Sequence, residues 1–273
     1  QSALLEKVQD LGVDVQCDSP VHKLPTDLHK TAEALVIADG VWSNLRQQLL
    51  GDGPPRMTGH LAYRALVAQA ELPAHLRTQD VSVWMGPNVH VVQYPVRGGE
   101  WLNVVVLVET HDAAQTPGWD SQRSAAQTAN DLQTALQGSC SRLQDLVLMS
   151  DSWRAWALFD RHPVQSADDM AQGRLALVGD AAHPMLPYLA QGAGMAIEDA
   201  DTLAQCWLQA GQSAEQRLQA YAQARWQRVA KVQARARRNA RVFHASGMLA
   251  WGRDAAMRWG GPSVMDQPWL YGG

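Results

Sequence analysis

GRLALVGDAAHPMLPYLAQGAGMAIED, residues Gly173 to Asp199, joins a short apolar strand, a carboxylate at the strand's end and a glycine-loosened helix start. Leu175, Ala176, Leu177 and Val178, bracketed by Gly173 and Gly179, read as a strand buried on both faces rather than as half-exposed alternation. Asp180 then stands at the carboxyl end of that strand, where ligands collect in open α/β sheets. An acid there can accept hydrogen bonds from a ligand hydroxyl, and Gly179 lets the ligand approach the backbone. Gln191-Gly192-Ala193-Gly194 leads into Met195-Ala196-Ile197-Glu198-Asp199-Ala200, a good helix former. Its free N–H groups and positive dipole end would face whatever Asp180 holds. An ordinary strand, turn and helix shares this spacing, so the pattern alone leaves both readings open.

Two further stretches carry chemistry-bearing residues. In Leu35 to Arg46, LVIADGVWSNLR, an apolar strand ends in Asp39-Gly40, and a helix follows with Ser43 as its cap and Arg46 one turn on. In Trp84 to Asn103, followed by Val104 to Val108, two β-rich runs flank Arg97-Gly98-Gly99-Glu100, which predicts a hairpin. Alternate residues of a strand share a face, so His90, Val92 and Tyr94 fall on one side. A lone strand histidine is more often structural than catalytic.

The stretch around Asp180 resembles the second FAD-binding motif of the class A flavoprotein aromatic hydroxylases, the group that contains salicylate hydroxylase and 6-hydroxynicotinate 3-monooxygenase. The resemblance implies that Asp180, beside Gly179, binds the ribityl chain of FAD. It also implies that the helix after Gly192, Ala193 and Gly194, opening at Met195, points at the pyrimidine edge of the flavin. Pro187 and Gln191 join the expected cofactor contacts, with Pro187-Tyr188-Leu189 as a turn between flavin and substrate. The stretch around Asp39, Gly40 and Arg46 is similar to the family's DG motif, near the FAD pyrophosphate and implicated in NAD(P)H use. Ile37 departs from it, since glycine is more usual there. His90 and Tyr94 match the four-residue spacing of the family's aromatic-substrate pocket, which implies that they are catalytic and that His90, Val92, Tyr94, Pro187 and Tyr188 touch the substrate. The implied reaction is hydroxylation of a phenolic or N-heteroaromatic acid through a flavin hydroperoxide, with NAD(P)H and O2 as co-substrates and His90 withdrawing the phenolic proton.

The fold expected is α/β: a Rossmann-like FAD-binding domain in residues 1–56 and 173–273, the latter carrying the C-terminal helices, with a β-rich substrate domain inserted at 57–172. Gly51-Asp52-Gly53-Pro54-Pro55 marks the crossing. Within this frame Leu4 to Leu11 reads as a helix, and Val13-Asp14-Val15, Tyr63 to Val67 and Ser152 to Leu158 as strands. Asp112 to Asp145 reads as loop plus helix. Arg217 to Phe243 is a long helix whose arginines form a solvated face, and Trp259 and Trp269-Leu270-Tyr271 pack on the body or on a second copy in a homodimer. No G-x-G-x-x-G hexamer occurs, which makes the chain a truncated hydroxylase in this reading. Residues 1–273 alone are then expected to bind FAD weakly, to expose apolar edges at Leu35 to Ala38 and Leu175 to Val178, and to be oligomeric or marginally stable.

Composition fits a globular protein, with 46% apolar and 18% charged residues. The net charge of −4 argues against a polyanionic partner and no apolar run is long enough to span a bilayer, so neither nucleic acid nor membrane is expected; the small aromatic substrate is what the resemblance implies. Cys17, Cys140 and Cys206 have no metal-like spacing, so no metal site is expected and buried, reduced thiols of a cytoplasmic protein are. Two other classes stay open: a hydrolase using Asp180 and His183, and a non-catalytic remnant that binds an aromatic ligand.

Overall fold

A computed structural model describes residues 2–110, 124–150, 152–264 and 266–271. The chain opens with α1 (Ser2–Asp10) and α2 (Leu28–Thr31), then β1 (Leu35–Ile37) and α3 (Asn44–Leu50). Next come β2 (Arg56–Ala68), β3 (Ser82–Gly86), β4 (Val89–Val96) and β5 (Trp101–Glu109), then α4 (Ala125–Ala135), α5 (Ser141–Leu148) and β6 (Arg154–Asp160). It closes with β7 (Ala171–Gln172), β8 (Leu175–Leu177), α6 (Gly192–Trp207), α7 (Ala214–Phe243), α8 (Gly247–Gly260) and α9 (Pro268–Tyr271). The expected loop over 112–123 lies outside the described residues. Among the described residues no helix is long and apolar enough to cross a membrane.

Two sheets organise the molecule. The smaller runs β1-β8-β7, with β1 parallel to β8 in the register Ile37 to Leu177. One of its faces packs on α6 and α7 through Ile37, Leu177, Tyr221 and Val229. The larger sheet is antiparallel, in the order β3-β4-β5-β2-β6. Residues paired across an antiparallel ladder share a face, so the registers sort its side chains into two sets. Leu61, Val91, Val104 and Val106 face a core closed by Leu132 of α4 and Leu146 of α5. Ala62, Leu107, Trp156 and His90 face the other way, toward Tyr188 and the end of α7.

Tight turns set the registers. Asn88 (φ 58°) takes the left-handed conformation between β3 and β4, which its short polar side chain tolerates. Gly98 and Gly99 supply positive φ between β4 and β5.

Three expectations need correction. Val13 to Val15 is not a strand: both valines are exposed, and among the described residues no strand pairs with them. Cys206 is buried, but Cys17 and Cys140 lie at the surface, in a linker and at the start of α5. The arginines of α7 form a solvated face only in part: Arg238 and Arg241 are exposed, as is Lys231, while others turn inward. Arg225 is buried against Asp199 and Glu198, Arg228 joins Glu198, and Arg237 pairs with Asp160, because acids from α6 and β6 come to meet them.

Candidate active site: two chambers with a shared wall

Parallel pairing of β1 with β8 brings their carboxyl ends together, and Val178 N–H continues the ladder to Ile37 C=O at 3.0 Å. Beyond that point both strands turn away, at Gly40 and at Gly179, and leave a cleft of about 730 Å³. Its walls include Ala38, Gly40, Gly179, Gly192, Ala193 and Ala196, so little side-chain bulk enters it. Gly179 has φ 55°, and a Cβ there would stand 3.3 Å from Ala196 Cβ, so a larger residue would be strained and would press turn against helix.

The helix on the opposite wall, α6, starts at Gly192 rather than after Gly194. Met195 N–H already bonds Gln191 C=O at 2.9 Å, so the amides without a partner in the helix ladder belong to Gly192, Ala193 and Gly194. Asp180 is solvent-accessible at the mouth of this cleft. Surrounding protein atoms desolvate its carboxyl and raise its pKa above the ordinary value, against the opposing influence of His183.

A buried carboxylate fixes the turn from behind. Asp199, with no exposed surface, accepts from Gly179 N–H at 2.9 Å, His183 Nε2 at 2.5 Å and Arg225 Nε at 2.8 Å. Burial alone would push its pKa up, but hydrogen bonds from His183, Gly179 and Arg225 hold it below the usual range. His183 is therefore turned to Asp199 inside the protein, and the paired Asp180 and His183 of a hydrolase are not formed.

The second chamber, about 340 Å³, lies between this turn and the large sheet. Trp42, Phe159 and Trp156 give it aromatic walls, and Arg64 and Tyr94 bring polar groups. Arg64 Nε donates to Oδ1 of the buried Asn103 at 2.6 Å, which orients the guanidinium on the chamber wall. Asp180, Met185 and Pro187 line both chambers and form the partition between them.

The expected residues separate into groups. Gly40, Gly179, Asp180, Pro187, Gly192 and Ala193 line the first chamber, and Asp39 is exposed beside it. Gln191 instead edges a surface hollow with Glu198 and Arg228, and Met195 is wholly buried beside Val232 and Leu270. Arg46 is a strut: only 1% exposed, it bonds Asp52 at 2.7 Å and the backbone carbonyls of Ala181, Ala182 and His162. It ties α3 to the turn after Asp180, and its guanidinium does not point into the cleft.

Tyr94 lines the second chamber, but His90, Val92 and Tyr188 do not. His90 shares the sheet face with Tyr94, yet Tyr188, Phe243 and His244 cover its end of the strand. Burial, and then the neighbouring His244 and His60, depress its pKa to about 3. Sequence reasoning missed Arg64, Trp42 and Met185. The signal for Arg64 was an arginine inside the otherwise mostly apolar run Leu61 to Ala68, one alternation step from Ala62.

The FAD binding domain family model matches residues 17–236. Over 241 residues the chain is 36% identical to a 3-hydroxybenzoate 6-hydroxylase of Polaromonas naphthalenivorans, covering 88% of this chain and 58% of that protein. Over 286 residues it is 37% identical to 3-hydroxybenzoate 6-hydroxylase 2 of Aquipseudomonas alcaligenes, covering 99% of this chain and 86% of that one. Among solved structures, a salicylate hydroxylase substrate complex superposes with a TM-score of 0.66 at 27% identity, over 84% of this chain and 61% of the other. The length that the chain spans thus runs from under three fifths of one relative to most of another. The chain belongs to the FAD binding domain family, among the class A flavoprotein aromatic hydroxylases that its motifs resemble.

Proposed function

We propose that this chain is an FAD-dependent monooxygenase that hydroxylates a phenolic acid of the hydroxybenzoate type, using NAD(P)H and O2. The observation that carries the proposal is the partition: a bulk-free cleft at a helix N-terminus and an aromatic-walled chamber share Asp180, Met185 and Pro187. A cofactor in one then meets a substrate in the other.

The first chamber fits a flavin and its ribityl chain. Its glycine and alanine lining admits a flat ring, the amides of Gly192, Ala193 and Gly194 suit a partial negative charge, and the accessible Asp180 carboxylate can take ribityl hydroxyls. FAD when bound supplies the redox chemistry that activates O2. The chain's residues do the rest. Trp42, Trp156 and Phe159 hold the ring and displace water, Arg64 binds its carboxylate, and Tyr94 takes the substrate hydroxyl. His90 packs on Tyr188, whose ring centroid is 4.8 Å from its own and which follows Pro187 of the partition, so its part is to steady that turn rather than to touch substrate. In this reading residues 1–56 and 173–273 serve the cofactor and 57–172 the substrate, with Trp42 and the partition of Asp180, Met185 and Pro187 closing the substrate chamber from the cofactor side.

The test is FAD titration followed by fluorescence, with NAD(P)H oxidation and O2 uptake measured on 3-hydroxybenzoate and its isomers. Asp180→Ala should weaken FAD about 5- to 150-fold, the equivalent of about 1–3 kcal/mol for an unsatisfied buried network. Unaltered FAD affinity removes Asp180 from the cofactor. Aromatic acid binding with no stimulation of NAD(P)H oxidation by the FAD-loaded protein would favour a non-catalytic binder instead.

A further inference from the structure

On the face of the large sheet that carries Ala62 and Leu107, beyond the second chamber, three metal-ligating side chains converge. His60 of β2 and Glu109 of β5 are direct partners across the ladder. His244 is the residue that ends α7: its N–H bonds Ala240 C=O at 3.2 Å, and its own C=O accepts from Asn88 N–H at 3.1 Å. One donor atom from each of the three lies within 4.8 Å of the other two.

The hydrogen bonds at this spot do not close among themselves. His244 is 5% exposed, and its Nδ1 has no hydrogen-bond partner. Glu109 Oε2 is 3.6 Å away, beyond hydrogen-bond range. A tetrahedral ion about 2.1 Å from a nitrogen and an oxygen holds the two about 3.4 Å apart, close to that spacing. The other edge of the ring is already arranged for ligation. His90 Nδ1 lies 2.8 Å from His244 Nε2, so Nε2–H can donate to it and leave the Nδ1 lone pair facing Glu109. Ligating histidines are ordinarily oriented by just such a bond from the second nitrogen. His60 is steadied in turn by Thr58 Oγ1, 3.3 Å from its Nδ1.

We propose that His60, Glu109 and His244 form a binding site for a divalent transition ion of the Zn²⁺ class. Two imidazoles and one carboxylate match the donor set of a three-ligand zinc site with a fourth, open position, whereas Mg²⁺ and Ca²⁺ call for oxygen-rich shells. Glu109, 47% exposed at its side chain, leaves the open position facing solvent and supplies the entry path. An ion here would pin the end of α7 to β2 and β5.

The experiment uses the full chain and ZnCl2, with calorimetric titration and metal analysis after dialysis into zinc-free buffer. One retained equivalent, a rise in Tm, and affinity at least about 10-fold weaker in both Glu109→Gln and His60→Gln are expected. His75→Ala removes an exposed histidine 3.9 Å from Asp145 and should change nothing. Equal unfolding midpoints of wild type and Glu109→Gln without zinc show that the variant is folded. Zinc below one equivalent, retention that survives both substitutions, or Mg²⁺ binding as tightly as Zn²⁺ overturns the proposal.

Discussion

Asp199→Asn should be among the most damaging single-atom changes in this protein, because one buried carboxylate serves three donors from three places. Oδ2 takes Gly179 N–H and His183 Nε2, and Oδ1 takes Arg225 Nε. An amide keeps one acceptor and turns the other into a donor, so either the Gly179 and His183 pair or Arg225 faces an N–H group. It also removes a charge that offsets Arg225, itself 4% exposed. Breaking a buried ion pair by changing one partner costs about 3–5 kcal/mol. Glu198 Oε2 remains at 2.5 Å from Arg225 Nη1, which sets the expectation near the lower end, about 3 kcal/mol, or roughly 150-fold in the folded-to-unfolded ratio.

Equilibrium urea unfolding measures this, with Glu198→Gln as the comparison. Glu198 has 34% of its side chain exposed, so water repairs its loss and about 1 kcal/mol is expected. A loss below about 1 kcal/mol for Asp199→Asn, or one no larger than that of Glu198→Gln, would refute the reasoning.

Stability should also fall on mild acidification. His90 and His244 titrate near 3 and 4 in the folded chain and near 6.5 when unfolded, so the unfolded chain binds more protons between those values. Their contribution is complete above about pH 6.5 and is lost toward pH 4, by a few kcal/mol, in urea melts at pH 7, 5.5 and 4.5; a flat profile contradicts the buried, neutral histidines. Arg64→Met should raise KM for a hydroxybenzoate about 10-fold or more, with little effect on an uncharged phenol, since one charge-assisted hydrogen bond contributes about 1.5–3 kcal/mol. Equal losses for both substrates would take Arg64 away from the carboxylate.

What was legible in the sequence was local. Leu175 to Val178, Asp180 and the glycines before α6 lie within one strand-turn-helix, so their order along the chain is also their order in space. The register of β4 was legible as well: His90 and Tyr94 do share a face. What alternation could not supply was the cover over each end of that face. Four residues of strand span about 13 Å, enough for Tyr94 to line a chamber while His90 sits under Tyr188 and Phe243. Arg46 went astray for a related reason, since an arginine one turn into a helix is equally suited to an anion or to carbonyls, and Ala181, Ala182 and His162 come from a segment far along the chain. His60, Glu109 and His244 left no trace in spacing at all; only the pairing of β2 with β5 and the end of α7 bring them together.

The long helix is where pattern reading and structure part most clearly, and the reason bears on function. Tyr221, Arg225, Gln233 and Asn239 are polar, yet all are buried, and at 3.6 residues per turn they fall within about 120° of the circumference of α7. Each reaches the partition or its supports. Tyr221 hydroxyl donates to Leu177 C=O at 2.9 Å, and Arg225 holds Asp199 behind Gly179. Gln233 Nε2 donates to Pro184 C=O at 3.0 Å while its Oε1 takes Val164 N–H at 3.0 Å, and Asn239 Nδ2 donates to Tyr188 C=O at 3.1 Å. Loop backbone has no ladder of its own, so its position is only as definite as the groups that satisfy it. A purely apolar stripe would have buried the same helix but left the loop carbonyls of Pro184 and Tyr188 without these donors, at a cost of about 1–3 kcal/mol each. By carrying four polar side chains on its inner face, α7 sets the segment from Leu177 to Tyr188 at fixed heights along one rigid rod. The wall of Asp180, Met185 and Pro187 between cofactor and substrate chambers is held in place by that rod.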